Sequence, residues 1–270
     1  MASAFSNVSI QSEYTIAYDF EVLDIPKVLF LLEKYRPVMY LITGLYVVGI
    51  FVGQRLMENK QAFRLNSFLF WWNIGNSVFA LVATIRSLPE FLFVVSKPNG
   101  ALDLVCSLEV HNHAMSFWWL MWALSKFVEL GDTVFIVLRK QKLGLVHWWH
   151  HSTILMLAWL SFELADPLWA RMFVLNTFVH TIMYFYYALK ALKINVPKRI
   201  AMVVTTLQLL QMATLGVFHF ASMISMSLGT PCNRPVMFCL AQLLFMGAFT
   251  ALLMLFFKQS YLSVEKVKKN

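Results

Sequence analysis

The chain has 270 residues, of which 59% are hydrophobic and 13% charged, and its mean hydropathy is +0.65. Soluble domains carry about a quarter charged residues, so these values exclude an ordinary water-soluble enzyme and indicate an integral membrane protein. The formal net charge of +8 is a topology signal, because the cations gather in alternate connections, and no nucleic-acid partner is expected.

The first fourteen residues are polar and lack the basic start and apolar core of a cleavable signal peptide. They contain the sequon Asn7-Val8-Ser9, a candidate glycosylation site. An amphipathic piece over 22–35 reads as an interfacial helix, which makes 1–36 an N-terminal segment outside the bilayer. Apolar runs long enough to cross a bilayer core follow at 37–54, 68–85, 114–138, 145–164, 167–189, 199–225 and 235–257. The second is the weakest, since Asn73, Asn76 and Ser77 interrupt it. These runs predict an all-α integral membrane protein with seven transmembrane helices over 37–257, followed by a basic tail, 258–270. No repeat or linker divides the chain further.

Cations set the orientation. One set of connections carries Arg55, Lys60 and Arg64, then Arg139, Lys140 and Lys142, then Lys190, Lys193, Lys198 and Arg199, then Lys258, Lys266, Lys268 and Lys269. The opposite set carries far fewer, which places the first set in the cytosol, the N-terminus in the lumen and the C-terminus in the cytosol. Lys266 and Lys268 have the spacing of a di-lysine signal for retrieval to the endoplasmic reticulum. Cys106 and Cys232 both fall in lumenal loops, an oxidising compartment where they are disulfide candidates. Cys239 reads as an inert core residue, and the loop histidines His111 and His113 as solvated.

Polar residues inside the apolar runs form four groups. In KFVELGDT, Lys126, Glu129, Asp132 and Thr133 share a helical stripe about 120° wide. In HWWHH, His147, His150 and His151 lie within about 100° of arc. In NTFVHTIMYFYY, His180, Met183, Tyr184 and Tyr187 line one face, with Asn176 a turn earlier, and in TTLQLLQ the seam is Thr205, Gln208 and Gln211. Each charge at the centre of a span costs roughly 2.5–3.5 kcal/mol, so such groups mark functional sites. Imidazoles at this spacing can bind metal, act as acid and base, or attack a carbonyl. All four groups fall in the cytosolic halves of their spans, and the lumenal halves stay apolar. That pattern suits a long acyl chain with a hydrophilic activated head, whose phosphates Arg139, Lys140, Lys142, Lys190, Lys193 and Arg199 can bind.

The four strings, in this order on consecutive spans, resemble the signature of the ELO family, the very-long-chain fatty acid elongases or 3-oxoacyl-CoA synthases. The resemblance implies six of the seven helices around a substrate tunnel in the membrane of the endoplasmic reticulum. It implies condensation of long-chain acyl-CoA with malonyl-CoA to 3-oxoacyl-CoA, CoA and carbon dioxide, with no cofactor and no metal. VLRKQKLGLVHWWHH and SNVSI are similar to the branch acting on saturated and monounsaturated chains. The partners implied are the lipid bilayer, the other elongation-cycle enzymes and a second copy in a homo-oligomer. On this reading His150, central in its array, attacks the thioester, while His147, His151 and His180 orient it or relay protons. Lys126, Asn176 and Tyr187 steady oxyanions, and Glu129 and Asp132 position the lysine and the histidines. Two alternatives stand beside it. A di-iron desaturase or hydroxylase needs on the order of eight histidines, and this chain has seven, His111, His113, His147, His150, His151, His180 and His219. A seven-span lipid receptor or transporter leaves the buried polar groups without a purpose.

Overall fold

A computed structural model describes residue 5 and residues 8–108 and 111–262. Asn7, Lys266 and Lys268 lie outside the described residues. The elements are β1 (Val8–Ser9), α1 (Ile25–Met57), α2 (Asn66–Ser96), α3 (Gly100–Cys106), β2 (His111–Asn112), α4 (His113–Leu138), α5 (Leu145–Glu163), α6 (Pro167–Ala191), α7 (Lys198–Ser227) and α8 (Val236–Phe257), with a 3-10 turn at Asp19–Glu21 and a π turn at Lys258–Leu262. Five helices, α1, α2, α6, α7 and α8, are long and apolar enough to cross a membrane. The protein is an all-α membrane protein. Helices α4 and α5 fall short of that description, and they are the two that carry Lys126, Glu129 and Asp132 and the triple-histidine array.

Two segments differ from the sequence reading. Residues 22–35 do not form a separate interfacial helix, because α1 continues unbroken from Ile25 through Pro37 to Met57. Arg36, the residue before the apolar run at 37–54, is paired with Glu163 at the end of α5. Helix α2 likewise runs beyond 85 to Ser96, because its later charged side chains have partners: Arg86 pairs with Glu21, and Glu90 is hydrogen-bonded to the His111 ring. The polar residues that weakened this run are also satisfied. Asn73 and Asn76 donate to the carbonyls of Leu69 and Trp72 in their own helix, and Ser77 donates to Thr181. Such bonding removes most of the cost of a polar group in an apolar phase.

Local chemistry fixes the ends. Asp24 caps α1 by accepting from the Lys27 amide, and Asp166 caps α6 by accepting from Leu168 and Trp169, with proline in the first turn of each helix. Helices α4, α5 and α6 end in Schellman turns, with Lys140, Ala165 and Lys193 at φ of 52°, 52° and 59°.

Packing follows a closed order. Helix α2 lies on α6, α6 on α7, α7 on α8, α8 on α5, α5 on α4, and α4 returns to α2. Helix α1 stands outside this ring, against α4 and α5. Short connections make α4 to α8 successively antiparallel. One end of the bundle therefore gathers the termini rich in lysine and arginine, and the other gathers the loops that hold Cys106 and Cys232.

At that second end the N-terminal segment folds back as β1, parallel to β2, and Cys106 is bonded to Cys232. The cap is polar, and its buried carboxylate is well bonded, although His111 Nε2 has no partner among the described residues. Glu90 bonds the His111 ring at 2.8 Å and accepts from the Asn112 amide at 2.8 Å and from the Tyr14 hydroxyl at 3.3 Å. His111 is thus buried, not solvated, and His113 accepts from the Leu23 amide. A second buried network joins three helices: Arg234 pairs with the capping Asp166 and also bonds Ser222, His219 and Gln242. Removing one partner of such a pair costs about 3–5 kcal/mol, because a buried charge is left unpaired.

Glu21 holds the N-terminal segment to α2 and α4, accepting from Arg86 at 2.8 and 2.5 Å, from Trp118 at 2.7 Å and from the Tyr18 amide at 2.8 Å. Burial alone raises the carboxyl pKa, but these four donors outweigh it and hold it below the usual carboxylate range. A depressed folded-state pKa stabilises above the ordinary value and loses that contribution as pH falls through the lowered one. Hydrogen exchange of the Tyr18–Val22 amides is expected to stay slow at neutral pH and to accelerate only on strong acidification, and to be fast at all pH in Glu21→Gln. Equal exchange in both proteins contradicts this clamp.

Candidate active site

The polar groups of α4, α5 and α6 meet inside the bundle, nearer its basic end. Helix α4 supplies the centre. Lys126 and Glu129, one turn apart, are 1% and 3% exposed, and the Lys126 ammonium donates to Glu129 Oε1 at 2.6 Å. The ammonium lies 5.0 Å over the Trp122 ring and 3.4 Å from Asn176 Oδ1 on α6. Trp122 Nε1 donates to the same oxygen at 2.8 Å. Both lone pairs of the Asn176 carbonyl are therefore occupied from the α4 side. This fixes the amide through its oxygen, and Asn176 also lines a cavity.

That cavity, about 30 Å3, is walled by His150, Thr153, Ile154 and Leu157 of α5, Trp169 and Asn176 of α6, Gln211 and Met212 of α7, and Phe245, Met246 and Phe249 of α8. It has room for about two waters. Its polar lining residues are His150, Thr153, Asn176 and Gln211, and its walls are otherwise apolar. The His150 ring stacks on Phe249, with centroids 4.1 Å apart, and makes no hydrogen bond among the described residues. His151 is buried at 5.6 Å from His150 and 4.4 Å from His147, and its Nδ1 has no partner among the described residues. His147 Nε2 lies 2.9 Å from Thr133 Oγ1, which is 2.7 Å from the Tyr46 hydroxyl of α1. His180 faces Glu129 at 3.7 Å, too long for a hydrogen bond, with its ring edge-on to Tyr184.

The remaining expected residues separate. Asp132 leaves the Lys126 pair and bridges α2 and α6, accepting from Trp72 at 2.7 Å and from Tyr184 at 2.8 Å. Tyr184 is buried there, whereas Tyr187 is 48% exposed and stacks edge-on against Tyr186. Of the third face only His180 and Tyr184 stay with the site. The glutamine seam divides too. Gln208 donates to Met183 Sδ, Thr205 bonds Tyr261, and Gln211 alone reaches the cavity. Arg139, Lys142, Lys190, Lys193 and Arg199 sit at the basic end, but Lys140 donates to the carbonyls of Glu58 and Lys60 and so anchors the loop after α1. Among the described residues no group of three or more His, Cys, Asp or Glu is placed to hold a metal ion.

Three supporting residues escaped the sequence reading: Tyr46, Trp72 and Trp122. Trp122 could have been found, since it stands one turn before Lys126 on the same stripe. Trp72 lay in a run whose polar residues read only as a weakness of the span, and Tyr46 in the uncharged apolar run at 37–54.

Trp72 also explains the glycine of KFVELGDT. A Cβ at Gly131 would lie 2.6 Å from a carbon of the Trp72 ring, whereas one at Gly75 meets nothing within 4 Å. Gly131→Ala must therefore displace the indole that Asp132 holds, costing about 1–3 kcal/mol. Gly75→Ala relieves a helix-interior glycine and gains up to about 1 kcal/mol. Thermal unfolding in detergent, read by tryptophan fluorescence, is expected to fall for the first and to hold or rise for the second. The reverse order contradicts this packing.

Comparison with known proteins identifies the family. The ELO family (GNS1/SUR4 family) matches residues 30–269. The chain is 38% identical over 210 residues to a Drosophila melanogaster protein named very long chain fatty acid elongase 6, covering 76% of this chain and 66% of that one. It is 36% identical over 202 residues to mouse very long chain fatty acid elongase 3, covering 74% and 73%. A Caenorhabditis elegans putative fatty acid elongase 3 is 40% identical over 169 residues, covering 62% of this chain and 52% of its own. The chain thus spans about two thirds of the fly protein and half of the worm protein. A match over nearly the whole length, running through the helices that carry the buried lysine pair and the histidine array, places this chain in the ELO family.

Proposed function

We propose that the protein is the condensing enzyme of fatty acid elongation, a 3-oxoacyl-CoA synthase joining long-chain acyl-CoA and malonyl-CoA. The observation that carries this reading is that an imidazole without a hydrogen bond among the described residues, His150, and an amide held through its oxygen, Asn176, line one mostly apolar cavity.

The chemistry follows from those two groups. His150 attacks the thioester carbonyl, the carbonyl oxygen takes up negative charge, and the Asn176 NH2 donates to it. Lys126, bonded through the amide oxygen, polarises this donor without touching substrate. The C–S bond breaks, CoA leaves as the thiolate, and the imidazole proton passes to it through His180 or His147. The acyl-imidazole is then attacked by the carbon that malonyl-CoA exposes as its carboxylate departs as carbon dioxide. As the new C–C bond forms, the acyl C–N bond breaks and 3-oxoacyl-CoA is released, and the leaving imidazole nitrogen takes up one proton from water through His180 or His147, which restores neutral His150. Burial in an apolar wall keeps water from the acyl-imidazole. No cofactor or metal enters this sequence.

The finer architecture belongs to the same proposal. Helices α4 and α5 cross with the other five, giving seven spans, and the six-helix ring encloses a tunnel that widens from the narrow cavity when an acyl chain enters. Saturated and monounsaturated chains are the proposed substrates, on the likeness of the strings around HWWHH and SNVSI. The basic end faces the cytosol by the rule that cations stay inside, where Arg139, Lys142, Lys190, Lys193 and Arg199 meet the CoA phosphates. The disulfide end then faces the oxidising lumen of the endoplasmic reticulum, with Asn7 glycosylated there and Lys266 and Lys268 serving retrieval. Its 3-oxo product needs reduction and dehydration by other enzymes of the cycle.

Labelled malonyl-CoA supplied to proteoliposomes with a long-chain acyl-CoA tests this directly. The wild-type chain is expected to form labelled 3-oxoacyl-CoA. Asn176→Ala should lower kcat about 10²–10³-fold, the cost of one oxyanion donor, and His150→Ala should abolish turnover. No incorporation by the wild type, or an unchanged rate in Asn176→Ala, contradicts the reading.

A further inference from the structure

Helix α1 stands outside the ring, yet it reaches the histidine array through a single side chain. Tyr46 Oη lies 2.7 Å from Thr133 Oγ1, and that oxygen lies 2.9 Å from His147 Nε2. Thr133 is unusual for a helical threonine here. Thr43, Thr84, Thr153, Thr177 and Thr181 all turn their hydroxyls back to a carbonyl of their own helix, the common local habit. Thr133 makes no such bond among the described residues and spends its hydroxyl between two other helices. Close packing makes the reach: on α1, two turns after Tyr46, a Cβ at Gly53 would lie 3.3 Å from Val137 of α4.

We propose that Tyr46 is a positioning residue for the catalytic histidines, selecting the tautomer of His147 through Thr133. The inference rests on the condensation reading. A phenol is a better donor than acceptor, so its proton goes to Thr133 Oγ1. The one proton of Thr133 then goes to His147 Nε2, which must accept. The neutral imidazole therefore carries its proton on Nδ1, the nitrogen not engaged by α4, and its ring is held against His151. Without the phenol, Thr133 is free to swing to its own carbonyls and accept from Nε2–H, and the wrong tautomer becomes populated.

The test is steady-state condensation by Tyr46→Phe, Thr133→Val, Thr133→Ser and the Tyr46→Phe/Thr133→Val pair. Tyr46→Phe is expected to lower kcat roughly tenfold, one hydrogen bond's worth, at unchanged KM. Thr133→Ser should keep wild-type kcat, Thr133→Val should lose at least as much as Tyr46→Phe, and the pair should lose no more than Thr133→Val alone, since both act through one chain. Wild-type kcat in Tyr46→Phe, a loss that appears in KM, or additive losses in the pair overturn the assignment while leaving the condensation reading intact. Should Tyr46→Phe fail to fold, a Thr133→Ser variant as impaired as Thr133→Val overturns it instead. A wild-type chain without condensation removes both.

Discussion

The buried ion pair of Lys126 with Glu129 is the constraint on which the interior depends. Neither charge can be left alone among apolar helices, where an isolated ion costs several kcal/mol. Pairing one turn apart solves most of that cost inside α4, before any other helix packs. What remains is one more donor direction on the ammonium, and it falls on Asn176 of α6. The pair thereby fixes the amide of a neighbouring helix, and Trp122 closes the arrangement from the same stripe. One local pairing dictates how α4 and α6 meet and holds the amide of a residue that lines the cavity.

The rest of the bundle repeats this logic at other depths. Asp132 is held between Trp72 and Tyr184, Glu90 between His111 and Asn112, Glu21 between Arg86 and Trp118, and Asp166 against Arg234. Each carboxylate joins elements distant in sequence. In a bilayer the contrast between solvent and interior gives little drive for helix association, so packing and such bridges must specify the arrangement. His150 stands apart from this pattern: its ring has stacking but no hydrogen bond among the described residues. A polar group left unbonded at the edge of a cavity is what a reacting nucleophile requires.

Much of this was legible in the sequence, for identifiable reasons. Helical spacing alone put Lys126 next to Glu129 and gathered the three imidazoles, because both relations lie within one helix. Membership of Asn176 and His180 in the site followed from spacing along α6. What spacing could not give was the azimuth of one helix against another. Asp132 and Thr133 are neighbours on a stripe, yet one turns to α2 and α6 and the other to α1 and α5. Tyr187 shares a face with His180 by count, yet its ring is half exposed and packs on Tyr186. The full length of α1 and α2 was hidden for a related reason: the apolar runs at 37–54 and 68–85 stop short of Arg36, Arg86 and Glu90, whose partners, Glu163, Glu21 and His111, lie 65 or more residues away for the arginines and across a loop for Glu90.

The central claim is that His150 carries the acyl group between the two halves of the reaction. Incubation of the purified protein with a long-chain acyl-CoA in the absence of malonyl-CoA, followed by rapid quench and peptide mass spectrometry, reads it directly. The account predicts one equivalent of CoA released and an added acyl mass on the peptide containing His150, discharged when malonyl-CoA is then supplied. Absence of both the adduct and the released CoA, in a preparation that turns over normally with the two substrates together, would contradict it.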